Sequence, residues 1–218
     1  MTTDPARRGL FLTFEGPEGS GKSLQARLLV DRLRTHGVPA AETREPGGTP
    51  LGDQLRELLL LRRDLELRAR SQVLVLCAAR AQLVEQVIRP ALARGEVVVC
   101  DRFADSTLAY QGYGLALDLA ELRPVIAFAT GGLTPDLTIL LDIPVREGLA
   151  RKTAQRAGTP AEWNRFEAQG EAFHERVRAG YHALAAAEPE RWRRLDARKP
   201  PGELAEEVWA LVAERVGR

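Results

Sequence analysis

Gly16-Pro17-Glu18-Gly19-Ser20-Gly21-Lys22-Ser23 satisfies the pattern G-x-x-x-x-G-K-[ST] and lies between an apolar run, Leu10 to Glu15, and an amphipathic one, Lys22 to His36. That strand, loop and helix context separates a phosphate-binding loop from a glycine-rich turn with a surface lysine. The glycines let the chain turn with successive N–H groups aimed inward, and the helix that follows adds the partial positive charge of its N-terminus. Lys22 is then placed for the β and γ phosphates of a nucleoside triphosphate, and the Ser23 hydroxyl for Mg²⁺.

Outward from this loop, short apolar runs alternate with longer amphipathic stretches, the pattern of repeated strand–helix units. Strands are expected at Leu10 to Glu15, Ala40 to Arg44, Val97 to Cys100, Leu137 to Leu141 and Trp192 to Leu195. Helices are expected at Lys22 to His36, Gly52 to Leu61, Arg68 to Arg94, Asp105 to Ala129, Arg146 to Arg156, Ala161 to Ala187 and Glu203 to Val216. Gly37, Gly95 and Gly158 stand where a helix C-terminus uses glycine. The sum is an α/β protein with the P-loop NTPase three-layer sandwich: a five-stranded parallel sheet flanked by helices, with a short helical lid. At 218 residues one domain is expected to span the chain, with a disordered tail at about 1–8 and the lid at about 146–165 around the break Gly158-Thr159-Pro160.

Composition narrows the partners. Apolar residues make up 44% and the formal net charge is +1, so a sizeable core is available and no global field draws the protein to nucleic acid or an anionic membrane. Of 31 basic residues only Lys22, Lys152 and Lys199 are lysines. Cys77 and Cys100 sit in apolar runs without metal-ligand spacing and read as buried thiols. With no long apolar segment and no secretory leader, a cytoplasmic location is expected.

Two further strand ends carry chemistry. Val97-Val98-Val99-Cys100 delivers Asp101 and Arg102 to the carboxyl edge, where ligands of open parallel sheets collect. Asp101 fits either the Mg²⁺ shell or the orientation of an acceptor, and Arg102 fits a clamp on a transferring phosphate. The second strand ends in Thr43-Arg44-Glu45-Pro46-Gly47-Gly48-Thr49, a rigid turn that presents Arg44 to the same cleft. A GTPase switch is excluded: the one asparagine, Asn164, precedes Arg165 rather than a lysine, and no D-x-x-G follows the loop.

Taken in order, the P-loop, T-R-E-P-G-G-T (43–49), A-A-R-A-Q (78–82), D-R-F-A-D-S-T-L-A-Y-Q-G-Y-G (101–114), P-D-L-T (135–138) and L-D (141–142) resemble the thymidylate kinase family over nearly the whole chain. The resemblance implies transfer of the γ-phosphate of ATP to dTMP, with Mg²⁺ as cofactor, ATP and dTMP as partners, neither nucleic acid nor membrane, and a homodimer. It implies that Gly16, Pro17, Glu18, Gly19, Ser20, Gly21, Lys22 and Ser23 bind ATP together with Asp196 and Arg198 beside the adenine. It further implies that Glu18, Arg44, Leu76, Arg80, Arg102, Ser106, Tyr110 and Gln111 bind dTMP, that Ser23 and Asp101 hold the metal, and that Lys22, Asp101, Arg102, Arg151 and Arg156 are catalytic.

Two positions depart from the family pattern. Leu76 stands where an aromatic ring would stack on thymine, and Gly19 stands where the other branch of the family has an arginine in the loop. The resemblance then implies that the lid supplies that charge, through Arg151 and Arg156. Plainer readings stay open: Glu18 as an acid at a helix N-terminus, Arg80 as structural, Tyr110 as core, the 146–165 arginines as a solvated face. Another deoxynucleotide or deoxynucleoside kinase, or an ATP-binding module without catalysis, also stays open.

Overall fold

In the computed structural model, which describes residues 9–62, 64–156 and 165–217, every residue of Phe11–Glu15 is buried and forms the strand β1. Parallel strands β2 (Ala40–Arg44), β3 (Val97–Asp101), β4 (Leu137–Asp142) and β5 (Trp192–Asp196) join it in the order β2-β3-β1-β4-β5. Strands buried on both faces cannot alternate with polar residues, which explains the runs Val97-Val98-Val99 and Ile139-Leu140-Leu141. Successive side chains still part to opposite layers. Leu12, Phe14, Val97, Val99, Ile139 and Leu141 pack under the helices α1 (Lys22–Thr35) and α9 (Pro201–Val216), while Phe11, Val98, Cys100 and Leu140 face the other layer.

The remaining helices are α2 (Pro50–Leu60), α3 (Ala69–Leu83), α4 (Arg89–Ala93), α5 (Ala104–Thr107), α6 (Leu119–Thr130), α7 (Val145–Arg156) and α8 (Glu171–Ala187). Thr49 caps α2 by accepting from the Gly52 N–H, with Pro50 at the first helical position, where its missing N–H costs nothing. The expected helix 68–94 is one rod made of α3, a π-helical turn at Val84–Ile88 and α4.

The expected helix 105–129 is not continuous. A second π-helical segment, Leu108–Gly114, follows α5, Ala116 takes a positive φ of 58°, and Asp118 caps α6 by accepting from the Ala120 N–H. Gly112 and Gly114 are what the break turns on, because a β-carbon there would collide with Leu119 and Phe173 respectively. The expected helix 161–187 begins only at Glu171, after a turn at residues 165–168. Gly37 and Gly95 do end helices, at φ 73° and 77°. Gly158, the tail 1–8, the 157–164 part of the expected lid and the Arg156 side chain lie outside the described residues.

Register sets the site. Phe14 pairs with Asp101, Arg44 with Asp101, and Asp142 with Asp196, so the carboxyl ends of all five strands open on one edge, with the P-loop leaving the central strand.

Candidate active site

The loop turns on glycines at positive φ. Gly16 has φ 141° and a β-carbon on it would strike the Leu141 carbonyl; Gly19 has φ 72° and would strike the carbonyl of Gly148 on α7. Gly21, at φ 88°, opens α1. Lys22 Nζ donates to the Pro17 carbonyl at 2.8 Å and to Ser20 Oγ at 3.2 Å. Burial and then Arg102 pull its ammonium down to about 8, against the pull of Glu18, Asp101 and Glu15. Ser23 Oγ donates to Asp101 Oδ2, while Asp101 Oδ1 is buried with no hydrogen-bond partner in the protein. A hydroxyl and a carboxylate brought together, one oxygen left over, fit a hard divalent cation that takes oxygen ligands.

Arg102 stands at the centre. Its φ of 69° is left-handed, a conformation that disfavours a β-carbon and persists only where neighbours over-determine it. They do: Nη1 donates to the Gly16 carbonyl (3.2 Å), Ser106 Oγ (3.1 Å) and Tyr181 Oη (3.0 Å), and Nη2 donates to Glu18 Oε1 (2.8 Å) and Tyr110 Oη (2.9 Å). Tyr110 also donates to Glu18 Oε1 at 2.8 Å. Burial would raise the Glu18 carboxyl, but Arg102, then Lys22 and the Tyr110 hydroxyl, hold it at about 2. Glu18 is therefore an ionised acceptor facing the cleft and not a solvated helix-end acid.

Arg80 is buried, and so is its partner. Nε reaches both Glu45 oxygens at 3.0 and 2.9 Å, and Nη2 reaches Glu45 Oε2 at 2.6 Å, Thr107 Oγ1 at 3.0 Å and the Phe103 carbonyl at 3.2 Å. Its Nη1 is buried without a partner. One edge of the guanidinium is thus structural, and the other is a donor the fold leaves unused. Gln111 repeats the pattern: Nε2 donates to Gln72 while Oε1 has no partner.

These groups line one cleft of about 400 Å³ with Glu18, Gly19, Gly21, Lys22, Ser23, Arg44, Leu76, Arg80, Asp101, Arg102, Ser106, Tyr110 and Gln111 on its walls. The remaining expected residues lie on α7 and at the end of β5. Arg151 turns away and donates to the Ala197 carbonyl at 2.7 Å, whereas Lys152 and Gln155 line the cleft. Asp196 and Arg198 pair with each other outside it, Arg198 Nη2 to Asp196 Oδ2 at 2.8 Å.

Sequence reasoning passed over three residues. Arg56 on α2 lines the cleft, donates to the Pro46 carbonyl at 2.8 Å, and is held below its usual pKa by burial and by Arg44 nearby. Glu15, the last residue of β1, accepts from the Phe103 N–H (2.8 Å), Ser106 Oγ (2.6 Å) and Tyr181 Oη (3.0 Å). Tyr181 comes from α8 and is wholly buried. Arg56 was legible in principle, two turns after Thr49 on a capped helix. Glu15 and Tyr181 were not, since their meeting spans 166 residues.

Burial, then Asp105, raise the Glu15 carboxyl to about 7 against Arg102 and its hydrogen bonds. A carboxyl raised in the folded state keeps its proton while the unfolded chain loses it, so folding is favoured less as pH rises from about 4.5 to about 7. Urea melts across that window should show stability falling with pH, and Glu15→Gln should flatten the slope. An unchanged slope would mean that Glu15 is already ionised at the lower pH.

A phosphate loop, a metal-fit carboxylate and several arginines on one cleft define a P-loop phosphotransferase. The thymidylate kinase family profile matches residues 14–208. Similar proteins include the thymidylate kinase of Roseiflexus sp. (strain RS-1), 55% identical over 210 residues, 93% of each chain, and that of Deinococcus radiodurans, 52% identical over 208 residues, 95% of this chain and 98% of the relative. The crystal structure of thymidylate kinase from Ehrlichia chaffeensis superposes with a TM-score of 0.75 at 30% identity, covering 94% of this chain and 98% of that one. The chain belongs to the thymidylate kinase family.

Proposed function

We propose that ATP binds with its triphosphate on residues 16–23 and that dTMP enters the cleft opposite, its monophosphate between Arg44, Arg56 and Arg102 and its base toward Leu76 and Arg80. The protein is a kinase that transfers a phosphoryl group from ATP to dTMP. What carries the residue-level reading is the gathering of three arginines opposite the phosphate loop, a charge that a dianion neutralises and that a nucleotide sensor without an acceptor does not need. Guanidinium forks match phosphate oxygens bidentately. Holding both nucleotides in line supplies much of the rate, and no covalent intermediate on the protein is required.

Arg80 Nη1 and Gln111 Oε1, both buried without partners, supply one donor and one acceptor for a pyrimidine edge. Glu18, fixed by Arg102 and Tyr110, is set to accept from a sugar hydroxyl, and the Tyr110 ring packs on the sugar. Mg²⁺ on Ser23 and Asp101 would offset charge on the β and γ phosphates. Arg151, tied to the loop that follows β5, Arg198 in that loop and Asp196 at the end of β5 belong to the adenine side. Arg156, expected to be catalytic, is the last residue of α7, and its side chain lies outside the described residues.

Phosphorylation across the nucleoside monophosphates, with ATP and Mg²⁺, tests the reading. A preference for dTMP of more than about tenfold in kcat/KM is expected, and chelation of divalent metal should abolish turnover; equal use of all acceptors would overturn the assignment. A homodimer is supported by the exposed Leu74 on α3 and Phe128 on α6, helices that pack together and so offer apolar side chains to a helical interface. Sedimentation of the same preparation reads the assembly, and a monomeric mass at micromolar concentration would refute it. Among the described residues no helix is long and apolar enough to cross a membrane; a cytoplasmic location rests on that together with two buried free thiols.

A further inference from the structure

We propose that Glu15 is a positioning residue for the reaction: through the hydroxyls of Ser106 and Tyr181 its carboxylate holds Arg102 in the geometry that takes the acceptor's phosphate. This rests on the reading of Arg102 as a clamp on that phosphate.

The hydrogens of two hydroxyls carry the case. Glu15 ends β1, one residue before the phosphate loop, and is wholly buried. Its carboxylate meets three neutral donors: the Phe103 N–H at 2.8 Å on Oε1, and the Ser106 and Tyr181 hydroxyls at 2.6 and 3.0 Å, both on Oε2. A hydroxyl has one hydrogen and two lone pairs. Ser106 gives its hydrogen to Glu15, and Tyr181 gives its own either to Glu15 or to Ser106, 2.8 Å away. On either path the lone pairs left over are offered to Arg102 Nη1, at 3.1 and 3.0 Å. The carboxylate thus turns both hydroxyls into acceptors for a guanidinium that can only donate.

The main chain of Arg102 is pinned separately: its N–H donates to the Phe14 carbonyl at 2.9 Å and its carbonyl accepts from Cys100 Sγ at 3.0 Å. The fork still turns about its side-chain torsions, and the acceptors around it decide where it points. Nη2 is met by Glu18 and Tyr110, and Nη1 by the pair that Glu15 sets. Strand β1 and helix α8 therefore align a side chain carried on the end of β3.

A carboxylate buried among neutral donors is costly, and a glutamine of the same shape would be easier to bury. Glutamine would fail at the polarity. Its oxygen accepts from the Phe103 N–H, so its amide hydrogens face the two hydroxyls, whose own hydrogens then turn toward Arg102, donor against donor. Asp105, the like charge that bears on Glu15 from α5, is held by Arg191 at 2.7 and 3.1 Å. The cation that answers Glu15 is Arg102, one hydroxyl away.

Titration calorimetry with dTMP and with thymidine tests this, on wild type, Glu15→Gln, Tyr181→Phe, the double variant and Arg102→Ala, beside initial rates and thermal melts. It is run near pH 8, above the value of about 7 to which burial raises Glu15. Each single variant at 15 or 181 should weaken dTMP about tenfold and thymidine less than about threefold, because only the nucleotide carries the phosphate that Arg102 takes. The dTMP KM should follow, with the ATP KM within about threefold of wild type. Both changes act on one chain of hydrogen bonds, so the double variant should lose less than the product of the single losses. Should Glu15→Gln not fold, Tyr181→Phe carries the comparison of nucleotide with nucleoside.

A loosened fold would weaken nucleotide and nucleoside alike, and that result would overturn the proposal. So would a double variant that loses the full product, or a dTMP Kd within about threefold of wild type in both single variants while Arg102→Ala weakens it. If Arg102→Ala binds dTMP as wild type does, the clamp itself is refuted and the role of Glu15 with it. If another monophosphate is preferred, the acceptor assignment fails, and the same comparison with that nucleotide and its nucleoside still reads Glu15.

Discussion

Arg102→Ala is expected to lower kcat/KM by about 10³ to 10⁴, the largest activity loss of any single substitution outside the phosphate loop. The guanidinium joins Gly16, Glu18, Ser106, Tyr110 and Tyr181, so its removal takes away a phosphate clamp and also releases Glu18, whose carboxyl depends on it first among its counter-charges. Arg102→Lys should recover little, because a point charge cannot hold this many acceptors in one plane. The backbone offers a separate check. At φ 69° glycine relieves strain that alanine keeps, so Arg102→Gly should be more stable than Arg102→Ala by about 1 kcal/mol while equally inactive. Urea denaturation and initial rates read both; activity within about tenfold of wild type for Arg102→Ala would remove Arg102 from the reacting centre.

Arg80→Met is expected to lower stability by about 3 to 5 kcal/mol, because it leaves Glu45 buried with its charge unpaired. Both side chains are at most 4% exposed. Burial already raises the Glu45 carboxyl, and Arg80 opposes this; without the arginine, Glu45 takes up a proton more readily in the folded state. A raised folded pKa means stability that is present below the unfolded value near 4.5 and lost as pH climbs, so the deficit of the variant should be smaller at pH 5 than at pH 8. Adding Glu45→Gln should return part of the loss. A deficit under about 1 kcal/mol, or one independent of pH, would show that the pair is not what holds β2 to α3.

The phosphate loop and the five strands were legible because each rests on local chemistry: glycines at forced backbone angles, and apolar runs that only a sheet covered on both faces can hide. Asp101 and Arg102 were legible for the same reason, as the end of Val97-Val98-Val99-Cys100. The break after Gly114 was not, since Ala116 at a positive φ has no sequence signal and the glycines that permit it answer to Leu119 and Phe173 in other elements. Polar groups buried by long-range contact were equally hidden: Glu15 reads as the last residue of a strand until Tyr181 arrives from α8. Which of Arg151 and Lys152 lines the cleft depends on a helix rotation of one residue, which an irregular polar helix does not announce.

The contact between Gly19 and Gly148 ties the phosphate loop to α7. Any side chain at 19 collides with α7, so an arginine in the loop and this packing of α7 exclude each other. A side chain at position 19 requires α7 to shift. Gaining a side chain at position 19 is therefore coupled to the place of a helix more than a hundred residues away in the sequence, and the two positions answer to each other rather than to their own neighbours.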